Sequence, residues 1–158
     1  VLIILGNYLK LKEIDENINI CSMNINDILN KKKELLDCLL KILDDDKINK
    51  MYENYNDSLS MFDKEDVLYN INWEANKYMN NIDNDEKLND DEIKKLVKEL
   101  NSFEENLEGL REYYNSNVAS YNDYYFKKPF TYIYKLFKLN DKRSFKLRKL
   151  ENYEILKN

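Results

Sequence analysis

Apolar residues at helical spacing are the feature that most limits how this chain can fold. Between Ile28 and Leu43 they form one stripe, and similar stripes recur over 52–62, 73–82 and 93–100. A stripe of this kind is typical of an amphipathic helix that packs one face on a core. The sequence shows no long alternation of polar and apolar residues of the kind that strands require. These patterns predict an all-α fold.

Several local signals predict where the helices begin and end. Three aspartates at 44–46 indicate a break or the charged start of a new helix. Asn89 and Glu92 have the spacing of a capping box before a helix over 90–100. Residues 115–125 contain few aliphatic side chains and are predicted to be a linker, and Pro129 stands where another helix can start.

The composition excludes several classes of function. The chain has no histidine, two glycines and one proline in 158 residues. Glycine-rich phosphate loops and dinucleotide-binding fingerprints each need several glycines close together. Without histidine the commonest general base and metal ligand is missing, and no Ser/His or Cys/His pair can form. We therefore expect a binding protein, not an enzyme, with no cofactor and no metal.

The cysteines and the first residues bear on location. Cys21 and Cys38 lie in apolar stretches without CxxC spacing, which predicts buried free thiols in a reducing compartment, with a disulfide as the alternative. Residues 1–10 are apolar but too short to span a bilayer, and they lack the features of a signal peptide. The chain starts at Val1 without a methionine, so we expect it to begin within a longer protein. The expected location is cytoplasmic, with possible peripheral contact to a membrane.

Charge is unevenly distributed along the chain. Residues 126–150 hold nine basic residues against the single acid Asp141, a local charge of +8, which leaves −13 for the rest of a chain with net charge −5. An acidic body argues against nucleic acid as its partner. The basic residues are Lys127, Lys128, Lys135, Lys138, Lys142, Arg143, Lys146, Arg148 and Lys149.

This basic segment has three possible uses and one alternative without a function. A basic amphipathic helix suits a calmodulin-type target, an anionic membrane surface or an acidic groove on a partner. The alternative is a solvated extension docked on the body. One specific hypothesis is that the segment lies against the acidic body and occupies the body's own groove.

One stretch resembles a pair of EF-hand units from the calmodulin and myosin light chain family. Phe62 followed by Asp63 resembles the end of an entering helix and the first loop residue, and Glu74 falls at the twelfth loop position. Residues 88–101, LNDDEIKKLVKELN, resemble the entering helix of the next hand, and its loop would close at Glu112. Residues 4–6 and 23–29 fit an N-terminal hand more loosely. The resemblance covers roughly 1–114.

The departures from that family are as informative as the matches. Val67 and Leu68 occupy the fifth and sixth positions of the first loop, and Phe103 the third position of the second. A calcium loop needs oxygen ligands and a glycine at those places. The pattern is similar to the degenerate hands of light chains, including apicomplexan light chains that bind a myosin tail helix. It implies an all-α fold of degenerate EF-hand-like helix–loop–helix lobes with a basic helical C-terminal extension.

The resemblance also implies domains, a partner and a site. The domains are a partial N-terminal hand with a linker helix (1–50), an EF-hand-like pair (51–114), and a linker with the basic tail (115–158). The implied function is a calcium-independent clamp on an amphipathic basic helix of a motor or other protein. The implied groove residues, whose alternative role is simply core packing, are Met61, Phe62, Trp73, Met79, Ile82, Leu96, Leu100 and Tyr113.

Two alternatives remain open. The chain could be a helical scaffold without EF-hands, or a membrane-associated adaptor, that acts through its basic tail. It could also sense calcium through residues 81–92, where Asn81, Asp83, Asp85 and Glu92 stand at ligand positions, although Glu86 replaces the glycine. The alternative for 81–92 is a solvated acidic linker.

Overall fold

All regular secondary structure in the described part of the chain is α-helical. A computed structural model describes residues 2–81, 91–127 and 130–148, with the backbone alone at 79–81. Its helices are α1 (Leu2–Leu43), α2 (Asp46–Tyr52), α3 (Met61–Asn81), α4 (Asp91–Phe126) and α5 (Phe130–Leu136). These ranges contain no strand, so the predicted all-α class is confirmed. None of the described helices is both long enough and apolar enough to cross a membrane.

The break between α1 and α2 lies at the aspartates that predicted it. Asp44 adopts a left-handed conformation with φ 46°, and its N–H donates to the carbonyl of Leu40 at 2.9 Å. This backbone turn satisfies a carbonyl at the end of α1. The next residue, Asp45, caps α2 because its carboxylate accepts the N–H of Ile48 at 2.9 Å.

The chain forms two compact units, each of which combines distant parts of the sequence. Unit 1 contains the described residues within 1–25 and 109–147, and unit 2 contains those within 26–108 together with Arg148. Helices α1 and α4 contribute to both units, and unit 2 also contains α2 and α3.

In unit 1, α1 packs against the second half of α4. Buried residues recur at intervals of three and four on both helices, the spacing of a coiled-coil seam. The Sγ of Cys21 donates to the carbonyl of Leu110 at 3.4 Å, and Asp15 lies near Tyr121. The two helices are therefore antiparallel in this unit. Their buried side chains are Leu11, Ile14, Ile18, Cys21 and Ile25 on α1, and Tyr114, Val118, Tyr121 and Tyr125 on α4.

Unit 2 contains a buried ion pair within its core. Lys32 of α1 and Glu104 of α4 are 1% and 2% exposed, and their Nζ and Oε2 atoms are 2.5 Å apart. Asn72 and Asn76 of α3 are also buried. The apolar core around them comprises Leu29, Leu36, Leu39, Leu40, Leu43, Ile48, Leu68, Tyr69, Ile71, Ala75, Ile93, Leu100 and Leu107.

The EF-hand-like detail is not confirmed. Residues 63–74 and 101–112, the two predicted loops, lie inside α3 and α4. In the first segment Leu68 and Ile71 are fully buried, so Leu68, which departed from the loop pattern, belongs to a helical stripe. Residues 115–125, predicted as a linker, are the last turns of α4, where buried tyrosines replace the missing aliphatic side chains.

The cysteine prediction is correct for one residue and wrong for the other. Cys21 is buried and Cys38 is exposed, and both are free. Burial raises the pKa of the Cys21 thiol. Cys38 lies one residue before the buried Leu39 and Leu40 on α1, so its apolar neighbours face the core while the thiol itself faces solvent.

Candidate functional site

An extended segment of the basic region is docked on α4 in unit 1. We call residues 139–147 the strap; they follow α5 and have no regular secondary structure. Asn122 donates from its Nδ2 to the carbonyl of Lys142 at 3.0 Å and accepts the N–H of Lys142 at 2.9 Å. Asn115 makes the same pair of bonds to Phe145, at 3.0 Å and 2.8 Å. Two helical side-chain amides therefore bind the strap backbone as neighbouring strands bind each other.

The spacing of the two asparagines matches the spacing of the residues they bind. Asn115 and Asn122 are seven residues apart on the helix, which corresponds to about 10.5 Å along its axis. Lys142 and Phe145 are three residues apart, which corresponds to about 10 Å in an extended chain. Because these distances agree, both amides reach the strap without bending either partner. The strap runs antiparallel to α4.

Two strap side chains fit the same surface. The Nζ of Lys142 lies 2.5 Å from the carboxylate of Asp15 and 5.2 Å from the ring centroid of Tyr121. Phe145 is 4% exposed and meets the ring of Tyr114 edge-on, with the centroids 5.0 Å apart. Burial raises the pKa of Tyr121 to about 12, with a smaller contribution from the Asp15 carboxylate. Lys142 and Phe145 are therefore each held by backbone hydrogen bonds and by a side-chain contact.

Arg148 binds carboxylates of unit 2, as Lys142 binds a carboxylate of unit 1. Its guanidinium donates to both Glu65 carboxylate oxygens, at 3.3 Å and 3.0 Å, and to Asp66 at 2.6 Å. It also lies 3.9 Å from the ring centroid of Tyr69. With Lys142 on Asp15, two of the predicted basic residues bind carboxylates of the acidic body, in an extended conformation rather than in the predicted helix.

The other predicted basic residues have different environments. Lys127 pairs with Asp123 at 3.2 Å and lies over the ring of Tyr124. Four more are exposed, although Arg143 and Lys146 have further interactions of their own; the four are Lys135, Lys138, Arg143 and Lys146. Lys128 and Lys149 lie outside the described residues.

An exposed apolar surface adjoins the basic residues of α5. We call Tyr132, Lys135, Leu136, Phe137 and Lys138 the α5 surface. Its apolar members are 68%, 83% and 61% exposed, and both lysines are exposed. Positions 132, 135 and 136 lie on one side of the helix, because residues three and four apart are neighbours there.

The α5 surface contacts the first turns of α1. The ring of Phe137 contacts Tyr8 of α1, with the centroids 5.5 Å apart. On the same part of α1, several large apolar side chains are at least half exposed: Leu2, Ile3, Leu5 and Leu9. Contiguous exposed apolar side chains mark contact surfaces more often than isolated ones do.

The predicted groove residues lie in varied environments. Leu100 is buried and Tyr113 is 52% exposed. Met79 and Ile82 lie outside the described side chains, as does most of the possible calcium loop 81–92. The remaining four are partly buried: Met61, Phe62 and Trp73 on α3, and Leu96 on α4.

The described residues offer no metal site, but they do offer one recess. No group of three or more Asp, Glu or Cys side chains among them is placed to hold a metal ion. In unit 2 a recess of about 450 Å³ lies between α1 and α2. Beside it Lys33 binds Asp37 at 2.9 Å and lies over the rings of Tyr52 and Tyr55. The aromatic and acidic groups there are therefore engaged by the protein's own lysine.

The asparagines that bind the strap are not among the site residues predicted from the sequence. Asn115 and Asn122 were assigned to a linker, although each follows a tyrosine of the α4 stripe, Tyr114 or Tyr121, by one residue. A repeat of Tyr-Asn at seven-residue spacing is a helical signal. Phe145, three residues after Lys142, is the only large aromatic of the strap and could have been identified as its anchor.

Comparison with known proteins gives one similarity. Residues 81–155 match the model of the LemA family; the match spans a little under half of the chain and includes all of α4, α5 and the strap. No curated protein and no solved structure gave a significant match.

This similarity corrects the light chain interpretation. LemA proteins form a helical family unrelated to calmodulin and the myosin light chains, so the proposed EF-hand resemblance and the calcium-independent clamp on a motor helix are wrong. The acidic helix over 88–101 carried much of that resemblance. Its capped, evenly spaced pattern is common to amphipathic helices and does not distinguish an EF-hand helix from α4.

Proposed function

We propose that this protein is a non-catalytic helical scaffold that binds anionic membrane surfaces peripherally, through the α5 surface. The observation that carries the proposal is the exposure of Tyr132, Leu136 and Phe137 beside Lys135 and Lys138. Aromatic and aliphatic side chains enter the boundary between lipid headgroups and acyl chains, while lysines bind anionic headgroups. The absence of histidine from the sequence supports a role without catalysis.

The charge distribution supports the same orientation. The rest of the chain carries a large negative charge, which an anionic membrane repels. The basic region is attracted to such a surface, so it would meet the membrane first. The cytoplasmic leaflet, which is rich in anionic lipids, is the proposed location.

The test is sedimentation of the full chain with lipid vesicles. We expect binding to vesicles that contain phosphatidylserine, weaker binding to pure phosphatidylcholine, and a decrease as salt is raised, because exposed charges are screened. Leu136→Glu should weaken binding at least tenfold, since burial of a leucine contributes about 1.5–3 kcal/mol and about 1.4 kcal/mol is a factor of ten.

The matched control is Ile20→Glu. Ile20 is 59% exposed and lies on α1 twelve residues from Tyr8, about 18 Å along the helix. The Ile20→Glu variant should bind the anionic vesicles as tightly as the wild type does. Equal loss in both variants would indicate a general charge effect, and absence of binding to any anionic vesicle would refute the membrane function.

A further inference from the structure

The docked strap identifies a surface that binds extended peptides. We propose that the face of α4 with Asn115 and Asn122, together with Asp15 of α1, is a peptide-binding site whose resident ligand is the strap. Its ligand class is an extended segment with a basic residue followed three residues later by an aromatic one. This inference does not depend on membrane binding.

The chemistry of the site defines what it selects. Each asparagine satisfies both backbone groups of one ligand residue, and this contact is independent of the ligand's side chains, as in strand addition to a sheet edge. Selectivity comes from Asp15, which binds the ammonium of Lys142, and from Tyr114, which packs on Phe145. Burial of the phenylalanine and the charge-assisted contact supply most of the discrimination.

The residues between and beyond the two anchors are less restricted. Arg143 and Ser144 are exposed, and so are Lys146 and Leu147. Their exposure places no limit on side-chain size at these positions. A ligand therefore needs the pair Lys-x-x-Phe and an extended backbone, and the intervening residues can vary.

The chain's own strap competes with any external ligand. Only four residues separate Phe137, just after α5, from Lys142, and a short tether gives an effective local concentration on the order of millimolar. An external peptide with the same contacts is excluded until the strap is weakened. The occupied state is therefore the resting state of the site.

The test uses the full chain with a weakened strap. A fluorescent peptide with the sequence of residues 139–147, LNDKRSFKL, is titrated into the wild type and into the variant Lys142→Ala/Phe145→Ala, and binding is followed by anisotropy. We expect at least tenfold tighter binding to the variant, because the competing strap has lost both anchors. Adding Asn115→Ala/Asn122→Ala to that chain should abolish the binding.

Two controls address specificity and folding. A peptide with one serine inserted between lysine and phenylalanine should bind at least tenfold more weakly, since it cannot meet both asparagines. The Phe145→Leu chain retains an apolar side chain at the anchor and is measured in parallel, with helix content checked by circular dichroism. No peptide binding by either strap variant while it remains helical, or binding that survives loss of both asparagines, would overturn the proposal.

Discussion

Lys32 and Glu104 show how a charged side chain can belong to a core. Lys32 lies three residues after Leu29 and four before Leu36, so it occupies a position of the buried stripe on α1. Glu104 occupies a stripe position on α4, between Leu100 and Leu107. Inside the core the two opposite charges compensate each other, with Nζ and Oε2 2.5 Å apart. The sequence predicts the stripe but not this pairing, because the two residues are 72 positions apart.

Removal of one partner of this pair should be far more costly than removal of both. Lys32→Met and Glu104→Leu should each lower the free energy of unfolding by about 3–5 kcal/mol, since the remaining buried charge loses its oppositely charged partner. The double variant should recover most of this loss. Denaturant unfolding of the four proteins measures the coupling.

The exposed pair Lys31–Asp27, with its atoms 2.7 Å apart, is the matched control. Its two side chains are 55% and 64% exposed, so the same substitutions there should cost less than about 1 kcal/mol. Similar losses at both pairs would contradict the assignment of the large effect to burial.

Tyr121 should make the protein sensitive to alkali. Its folded-state pKa of about 12 lies above the ordinary value of 10 because the side chain is buried. The unfolded chain therefore releases this proton first, and stability present below pH 10 is lost as pH rises towards 12. The loss attributable to Tyr121 is on the order of 2 kcal/mol.

The variant Tyr121→Phe isolates this effect, because it keeps the ring under Lys142 and removes the titrating group. We expect its free energy of unfolding to fall less between pH 10 and pH 12 than that of the wild type. Tyr113→Phe, at a half-exposed position on the same helix, should retain the wild-type dependence. Parallel pH profiles for all three proteins would disprove the role of Tyr121.

At the scale of the element, α4 extends further than its sequence suggested. The sequence pattern predicts a helix over 90–100 and a linker over 115–125, with Gly109 between them. The structure continues the helix to Phe126, because Tyr114, Val118, Tyr121 and Tyr125 continue the buried stripe. Burial of these side chains outweighs the weak helix preference of the glycine and asparagines.

Gly109 therefore offers a simple gain in stability. It is exposed within α4, and a Cβ added there meets nothing within 4 Å. Gly109→Ala should raise the free energy of unfolding by roughly 0.5–1 kcal/mol, because alanine loses less backbone entropy in a helix. The reverse exchange at an exposed position of the same helix, Ala119→Gly, should lower it by a similar amount. Denaturant unfolding that shows a loss for Gly109→Ala would mean that the helix does not pass through this residue.

At the scale of the whole molecule, the sequence predicted the fold class and a helix boundary correctly, but not which helices pack against each other. The all-α class followed from helical spacing, and the helix break at 44–46 followed from three consecutive acids; the structure confirms both. The predicted EF-hand topology was wrong because an apolar stripe identifies the buried face of a helix but not the helix that packs against it. Pairing in unit 1 joins residues 1–25 with 109–147, and such long-range contacts leave no local signal.

The uneven charge along the sequence came nearest to predicting the candidate site. It identified residues 126–150, which include both the α5 surface and the strap. It could not indicate that Lys142 and Arg148 are held by carboxylates far away in the sequence, or that the strap is extended. Those properties depend on Asn115, Asn122 and Asp15, which lie elsewhere in the sequence.

The pairing of α4 with the strap has a consequence for how such surfaces can grow. Each pair of helical turns serves one tripeptide of extended chain, so the contact is a repeating module with a fixed ratio of seven residues to three. A longer helix with asparagine at every seventh position could bind a proportionally longer extended ligand through the same pair of hydrogen bonds at each asparagine. An engineer could therefore extend this surface by whole modules and choose the side-chain pocket beside each asparagine independently.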